Sequence, residues 1–218
     1  DVVSPSGLTA IYGDLLSSVI LTNDNSNIAG TWSWNQTGTV GNAGTNSFQA
    51  TFTPNNTNYA PSTHTLSVVV EKATVVINVT NNTFTYDGSA HTIAYTVTGM
   101  VNGDAAPSVD GNVSKTDAGT YAATLSITND NYKAESVSTS LVINKAEYTP
   151  SVNPSGLTAT YGEQLSSVAL TNDGSNIAGT WSWNQTGTVG NAGTNSFQAT
   201  FTPNDTNYAS STHTLSVV

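Results

Sequence analysis

Residues 26–55 read SNIAGTWSWNQTGTVGNAGTNSFQATFTPN. Two alternating runs lie inside this stretch. Trp32 and Trp34 fall on one parity with Thr31 and Ser33 opposite, and Phe48, Ala50 and Phe52 alternate with Gln49 and Thr51. Successive side chains of a strand point to opposite faces, so period two marks half-buried β-strands. The same alternation returns at Leu66, Val68 and Val70, and again at Tyr121, Ala123, Leu125 and Ile127. Turn residues cluster between the runs, at Thr22–Asn27 and at Pro54–Asn58. The only helix-like stretch, Gly13–Val19, is short.

The thirty residues from 26 to 55 recur without a change at 175–204. Across the wider window, 5–69 against 154–218, only seven positions differ: Ile11/Thr160, Asp14/Glu163, Leu15/Gln164, Ile20/Ala169, Asn25/Gly174, Asn56/Asp205 and Pro61/Ser210. Gln164 in place of Leu15 marks that position as lying outside the core. The middle of the chain is a diverged third copy. Tyr12-Gly13-Asp14 has its counterpart in Tyr86-Asp87-Gly88, Asn42-Ala43-Gly44-Thr45 in Asp117-Ala118-Gly119-Thr120, Asn58-Tyr59 in Asn131-Tyr132, and Lys72-Ala73 in Lys145-Ala146. These landmarks divide the chain into 1–71, 72–146 and 147–218. The connections VVVEKATVV and LVINKAEYT hold no Gly/Ser tract and continue from strands, so stiff joints are expected.

The expected fold is all-β: three tandem small Ig-like β-sandwich modules, of five to seven short strands each, in an extended rod. The modules are short for that fold, and a β-grasp-like sheet with one short helix is the alternative. A core this small is marginal on area grounds, so aromatics are expected to carry it: Trp32, Trp34, Phe48, Phe52 and Tyr59, with their copies Trp181, Trp183, Phe197, Phe201 and Tyr208.

Composition narrows the function. The 218 residues hold four lysines, no arginine and fourteen carboxylates, for a net charge of −10. Neutralising nucleic-acid phosphates requires a basic surface that this chain lacks, and anionic membranes are disfavoured for the same reason. Charged residues make up only 8% of the chain, against about 25% in an average globular protein; Thr, Ser and Asn fill the polar positions, which suits a secreted or wall-attached protein. With no cysteine there is no disulfide framework, thiolate metal site or cysteine nucleophile. No apolar run reaches the length of about 18 residues that a spanning helix needs. No signal peptide is visible, and the chain begins in mid-pattern at Asp1, as a piece of a longer protein would.

The order of these motifs resembles a known family. A Tyr-Gly opening, GTWSW, an AGT turn, ATFTPNNTNY and a closing strand ending in EKA are similar to the tandem Ig-like repeats of bacterial surface proteins, mainly of Firmicutes. The middle module, with TYDGSAHTIAYTVTG and DAGTYAATLSITNDNYKAESVSTSLVINKA, resembles the related MBG-type repeats. The resemblance implies a stalk that holds a head away from the cell wall, with some repeats touching host or matrix glycans. It implies no catalytic motif.

Residues that could carry chemistry are few. His64 and His213 are copies, leaving His91 as the one other histidine context. No nucleophile elbow accompanies them, and too few ligands exist for zinc. No catalytic, cofactor or metal residue is expected. Asp24, Asp130 and Asp173 sit in oxygen-rich loops that could take structural calcium, but each loop offers a single carboxylate where a good site wants several; Asx-turns are the simpler reading. An internal Lys–Asn isopeptide bond needs a lysine in the core. Lys115 and Lys133 read as loop residues, and Lys72 with Asn144 is the only pair on suitable strands. Trp32 and Trp34, with Asn35 and Gln36, invite a sugar-stacking reading, against which stands the need for large residues in the core. The sequons Asn35-Gln36-Thr37 and Asn112-Val113-Ser114 are expected by chance in so Asn/Thr-rich a chain. The expected role is a non-catalytic stalk segment of an extracellular bacterial surface protein, contacting its neighbouring repeats; the alternative is a binding module for glycans or a host protein.

Overall fold

A computed structural model describes residues 2–22, 27–101, 103–171 and 176–218. The first repeat holds strands β1 (Leu8–Ile11), β2 (Gly30–Trp34), β3 (Gly44–Pro54) and β4 (Ser62–Glu71). The middle repeat opens with β5 (Ala73–Thr74), β6 (Val76–Asn81), β7 (Thr83–Thr85), β8 (His91–Thr92) and β9 (Ala94–Thr98). It continues with β10 (Val109–Asp110), β11 (Ser114–Lys115), β12 (Gly119–Ile127), β13 (Tyr132–Lys133) and β14 (Val137–Asn144). The last repeat holds β15 (Gly179–Trp183), β16 (Asn195–Pro203) and β17 (Ser211–Val217). The fold is all-β, as the alternation demands.

Compactness divides the chain into two units. Unit 1 is 1–80, 94–112 and 123–139; unit 2 is 81–93, 113–122 and 140–218. The division falls inside the middle repeat and cuts β6, β12 and β14.

Within unit 1 the first repeat forms a mixed sheet in the order β1-β4-β3-β2, with β1 parallel to β4 and the other pairs antiparallel. Ala50, Phe52, Leu66, Val68 and Val70 are buried on one face, and their alternates point out. A second, thinner layer covers that face. It is a β-bridge between Leu15 and Thr39, extended by Leu16 N–H to Gly38 O (2.8 Å) and Val40 N–H to Asp14 O (2.9 Å). Leu16, Val19 and Val40 hang from this layer into the core. Gly30 is required by packing. The Phe52 ring lies across it, and a Cβ there would fall 2.4 Å from Cζ.

The helix-like stretch is a three-residue 3-10 turn, Leu16–Ser18, too short for a β-grasp helix. Segments that could have been further strands are turns of the thin layer, so the first repeat has four strands instead of five to seven. Leu15 is 56% exposed, in keeping with its replacement by Gln164. Tyr59 is a correction: it is 53% exposed and does not belong to the core of its repeat. It lies in the turn region after β3.

Unit 2 repeats the plan at its end. β15, β16 and β17 form an antiparallel sheet, and Gln164 bridges Thr188 as Leu15 bridges Thr39. The parallel β1–β4 ladder is represented by the single bridge Leu157–Val217. The middle repeat follows the same connectivity in pieces, with β7 parallel to β14 and β8 paired to β11 in unit 2, and β10 paired to β12 and β5 parallel to β13 in unit 1.

Candidate functional site

The landmarks that phase the repeats meet in space. They do so twice, once within each unit, where one repeat hands the chain to the next.

In unit 1 the chain leaves β4, passes Lys72 and restarts at once as β5. β5 lies parallel to β13, with Ala73 N–H donating to Asn131 O (2.9 Å) and Val75 N–H to Lys133 O (2.9 Å). The turn before β13 is an Asx-turn: Asn129 Oδ1 accepts from the N–H of Asn131 (2.9 Å) and of Tyr132 (3.0 Å). That turn aims Asn131 at the first repeat. Its Oδ1 accepts from Ala43 N–H (2.9 Å), and its Nδ2 donates to Asn42 Oδ1 (3.2 Å). A carboxamide carries a donor and an acceptor, and both are used on neighbouring residues of the AGT turn. Beside it, Tyr132 is only 4% exposed and packs edge-on against Tyr12, with centroids 5.4 Å apart.

Both tyrosine hydroxyls of this joint converge on Asp104. Tyr12 Oη donates to Oδ2 at 2.8 Å, Tyr132 Oη donates to the same oxygen, and Val101 N–H donates to Tyr132 Oη (3.0 Å). The hydrogen bonds from Tyr132 and then Tyr12 favour the carboxylate and hold Asp104 below its ordinary pKa. Tyr12 is raised, first by its hydrogen bond to Asp104; Tyr132 is raised, first by burial and then by the same carboxylate. Gly13, at φ +98°, sits so close to Val101 that a Cβ would fall 2.6 Å from Cγ2.

Unit 2 builds the same joint from the counterpart residues. Ala146 N–H donates to Asn207 O (2.9 Å), and Ala209 N–H donates to Ala146 O (2.8 Å). Asp205 Oδ1 accepts from Asn207 N–H (2.9 Å), which sets the turn. The Asn207 carboxamide then accepts from Ala118 N–H (2.7 Å) and donates to Asp117 Oδ1 (3.2 Å). Tyr208 meets Tyr86 edge-on at 5.5 Å. Burial, followed by the charge of Asp205, raises Tyr86. The backbone bond Tyr12 N–H to Glu71 O (2.8 Å) in one joint matches Tyr86 N–H to Asn144 O (2.9 Å) in the other.

The residues singled out for chemistry lie elsewhere and do not come together. His64 lies between Ser4 Oγ (3.3 Å) and Ser62 Oγ (2.9 Å), with its ring against Trp32; His213 pairs with Ser211 Oγ (2.8 Å). His91 pairs with Asp87 at 3.0 Å and stacks on Phe84. Among the described residues no three His, Asp or Glu side chains cluster as metal ligands. Asp24 and Asp173 lie outside the described residues. Asp130 is exposed, and its neighbour Asn129 holds the turn. Lys72 is exposed at the joint and donates to Asn129 O (2.6 Å), which is not the buried setting an isopeptide bond needs. Lys115 and Lys133 are exposed as well. Trp32 and Trp34 are half-buried and packed against the core, Trp32 on Phe52 and His64 and Trp34 on Phe48. Trp34 Nε1 donates to Val19 O (3.0 Å), whereas Trp32 Nε1 is buried with no partner among the described residues.

In the sequence, Asn131, Asn207 and the AGT turns stand out only as landmarks of phase. Their recurrence in the same order from repeat to repeat is the signal that they share a task. Asp104 carries no such signal, because no repeated motif contains it.

No family model and no curated protein matches the chain. Among solved structures, the Sidekick-1 immunoglobulin domains 1–5 align at 11% identity with a TM-score of 0.34, covering 99% of this chain and 57% of that one. A Bacteroides ovatus mixed-linkage glucan utilization locus protein, SGBP-B, solved in complex with a mixed-linkage heptasaccharide, aligns at 16% identity with a TM-score of 0.20, covering 99% and 66%. The chain thus spans less than two thirds of each. At these TM-scores neither superposes closely enough to carry a fold or a function across.

Proposed function

We propose that the chain is a spacer: a non-catalytic stalk segment of an extracellular bacterial cell-surface protein, in which each repeat is locked to the next. The observation that carries this reading is the joint itself, built twice from the same four motifs. A linker that only tethers needs no carboxamide bridging to its neighbour's turn and no buried tyrosine pair. The motif order similar to tandem bacterial surface repeats supports the reading, and so does a polar surface almost free of lysine and arginine. Repeats that contact only their neighbours can be multiplied without disturbing one another, which fits the near identity of the first and last. An all-β module with strands about ten residues long spans about 33 Å, so three in line would reach on the order of 100 Å.

Small-angle X-ray scattering tests this. A compact globule of this length has a radius of gyration of about 17 Å; three modules in line would give about 30 Å on the strand rise. The spacer reading expects the larger value, unchanged by a calcium chelator. The smaller value would overturn it. The rival reading, a glycan- or host-protein-binding module, would need tryptophan faces free for a ligand, and the packing of Trp32 and Trp34 against Phe52, His64 and Phe48 does not favour it.

A further inference from the structure

The unit 1 joint holds two phenols on one base. Of the nine tyrosines, only Tyr12 and Tyr132 share a carboxylate among the described residues: both hydroxyls donate to Asp104 Oδ2, that of Tyr12 at 2.8 Å. The rings meet edge-on with centroids 5.4 Å apart. Two hydroxyls on one oxygen lie within two hydrogen-bond lengths of each other, so the ring carbons ortho to them are gathered at the same end of the pair. Val101 N–H, donating to Tyr132 Oη (3.0 Å), helps to fix that end. Asp104 is half-buried and lines an open cleft of about 240 Å³ with Tyr12 and Val101.

This arrangement suits the oxidation of tyrosine. A phenol that gives up an electron becomes a strong acid and must give up its proton as well, and a base within hydrogen-bond reach takes it. Asp104 is in its base form, because the same two hydrogen bonds favour the carboxylate. The cleft lets it pass the first proton to water before the second arrives. Tyr132, at 4% exposure, gives its electron through Tyr12, the half-buried ring it packs against. Electron transfer of this kind needs no reagent at a ring carbon. Unit 2 has the rings without the base. Tyr86 and Tyr208 stand edge-on at 5.5 Å, yet no carboxylate among the described residues accepts from either hydroxyl, and the partner of Tyr86 is the Asn207 carboxamide.

We propose that Tyr12 and Tyr132 form an oxidative cross-linking site, joined ortho carbon to ortho carbon as a dityrosine by hydrogen peroxide acting through a haem peroxidase. Each tyrosine loses one electron to the oxidant and its hydroxyl proton to Asp104, and from there to water. The two radicals form one carbon–carbon bond. The two ortho hydrogens then shift to the oxygens, which restores both aromatic rings and both hydroxyls. Two electrons and two protons leave the pair, and one peroxide takes them up as two waters. The product ties the first repeat to the second in a chain that has no cysteine for the purpose. Coupling rests on the geometry of the joint and holds whether or not the chain serves as a spacer.

The test treats the dilute full chain with hydrogen peroxide and a haem peroxidase and follows dityrosine fluorescence, with the linked residues mapped by mass spectrometry of the digested product. The expected product is monomeric, short of two hydrogen atoms, and joins Tyr12 to Tyr132. Tyr132→Phe keeps the ring and should abolish it. Asp104→Asn keeps an acceptor but not a base: coupling should slow about hundredfold and should quicken with added phosphate, which then takes the proton, whereas the wild-type rate should not respond. Coupling of Tyr86 to Tyr208 should lag by a similar factor. A chain that yields no Tyr12–Tyr132 bond, a Tyr86–Tyr208 bond formed as fast, an Asp104→Asn chain that couples at the wild-type rate, or a loss that phosphate does not relieve would each overturn the proposal.

Discussion

The first and last repeats are close to the same sequence, yet twin residues live in different surroundings. Tyr12 is half-buried in a joint, and its copy Tyr161 is 74% exposed. The reverse holds at the other landmark, where Tyr59 is 53% exposed and its copy Tyr208 is half-buried between Tyr86 and Tyr148. The cores of the two repeats do not differ in this way, for Phe52 and Phe201 are both fully buried. A repeat of this kind therefore carries two classes of apolar residue. One class is covered by its own sheet, wherever the repeat stands. The other is covered only by a neighbour, and its contribution depends on position in the array.

That distinction can be broken by substitution. The largest effects should come from the core and be alike in both copies. Leu66→Ala and Leu215→Ala, each 3% exposed in the wild-type chain, should each cost about 2–5 kcal/mol, read as equal losses of stability in urea denaturation of their respective units. Unequal losses would mean that the twin cores are not equivalent. The joint should separate the copies. Tyr208→Ala removes a ring with two aromatic partners and should cost about 1–3 kcal/mol, whereas Tyr59→Ala should stay within about 0.5 kcal/mol. A smaller contrast belongs to the carboxamides. Asn131→Ala or Asn207→Ala leaves a neighbour's turn N–H without its acceptor and should cost about 1 kcal/mol, while Asn58→Ala should be near neutral.

The two joints also differ from each other, and pH sharpens that difference. Asp104 has a lowered folded pKa, so its contribution is complete above the ordinary carboxylate value of about 3.9 and fades as pH falls through the folded value. Tyr12 and Tyr132 have raised folded pKa values, so theirs is complete below about 10 and fades as pH rises through the folded values. The unit 1 joint should hence loosen at both extremes. Hydrogen exchange at Ala43 and Val101 is the readout, and Asp104→Asn should remove the acid limb and weaken the alkaline one, because the same carboxylate is the first cause of the Tyr12 shift and the second of the Tyr132 shift. Tyr86 in unit 2 is raised too, so its joint should share the alkaline limb.

Much of the fold is legible in the amino-acid pattern. The alternation at Phe48–Phe52 and Leu66–Val70 places side chains in or out with period two, and the buried faces of β3 and β4 follow it residue by residue. Gln164 opposite Leu15 correctly marks an exposed position. The failure at Tyr59 has a physical cause. A large aromatic in a small module reads as core, but its burial requires atoms of another repeat, which no local pattern encodes. The second layer escapes the pattern for a related reason: a bridge of one residue pair leaves no period to detect. The joints are visible as recurring landmarks, though their chemistry is not. Asp104 stays hidden, since a single carboxylate in a loop gains meaning only from the two hydroxyls folded onto it.

The most direct test of the joint is the reactivity of the twin tyrosines. Nitration of the native chain, mapped by peptide, distinguishes Tyr12 (in AIYGDL) from Tyr161 (in ATYGEQ) and Tyr59 (in NNTNYAPS) from Tyr208 (in NDTNYASS). Docked repeats require that Tyr161 and Tyr59 react readily while Tyr12 and Tyr208 are protected. Equal reactivity within each pair would show that the repeats do not cover one another's landmarks, and the joint would fall with it.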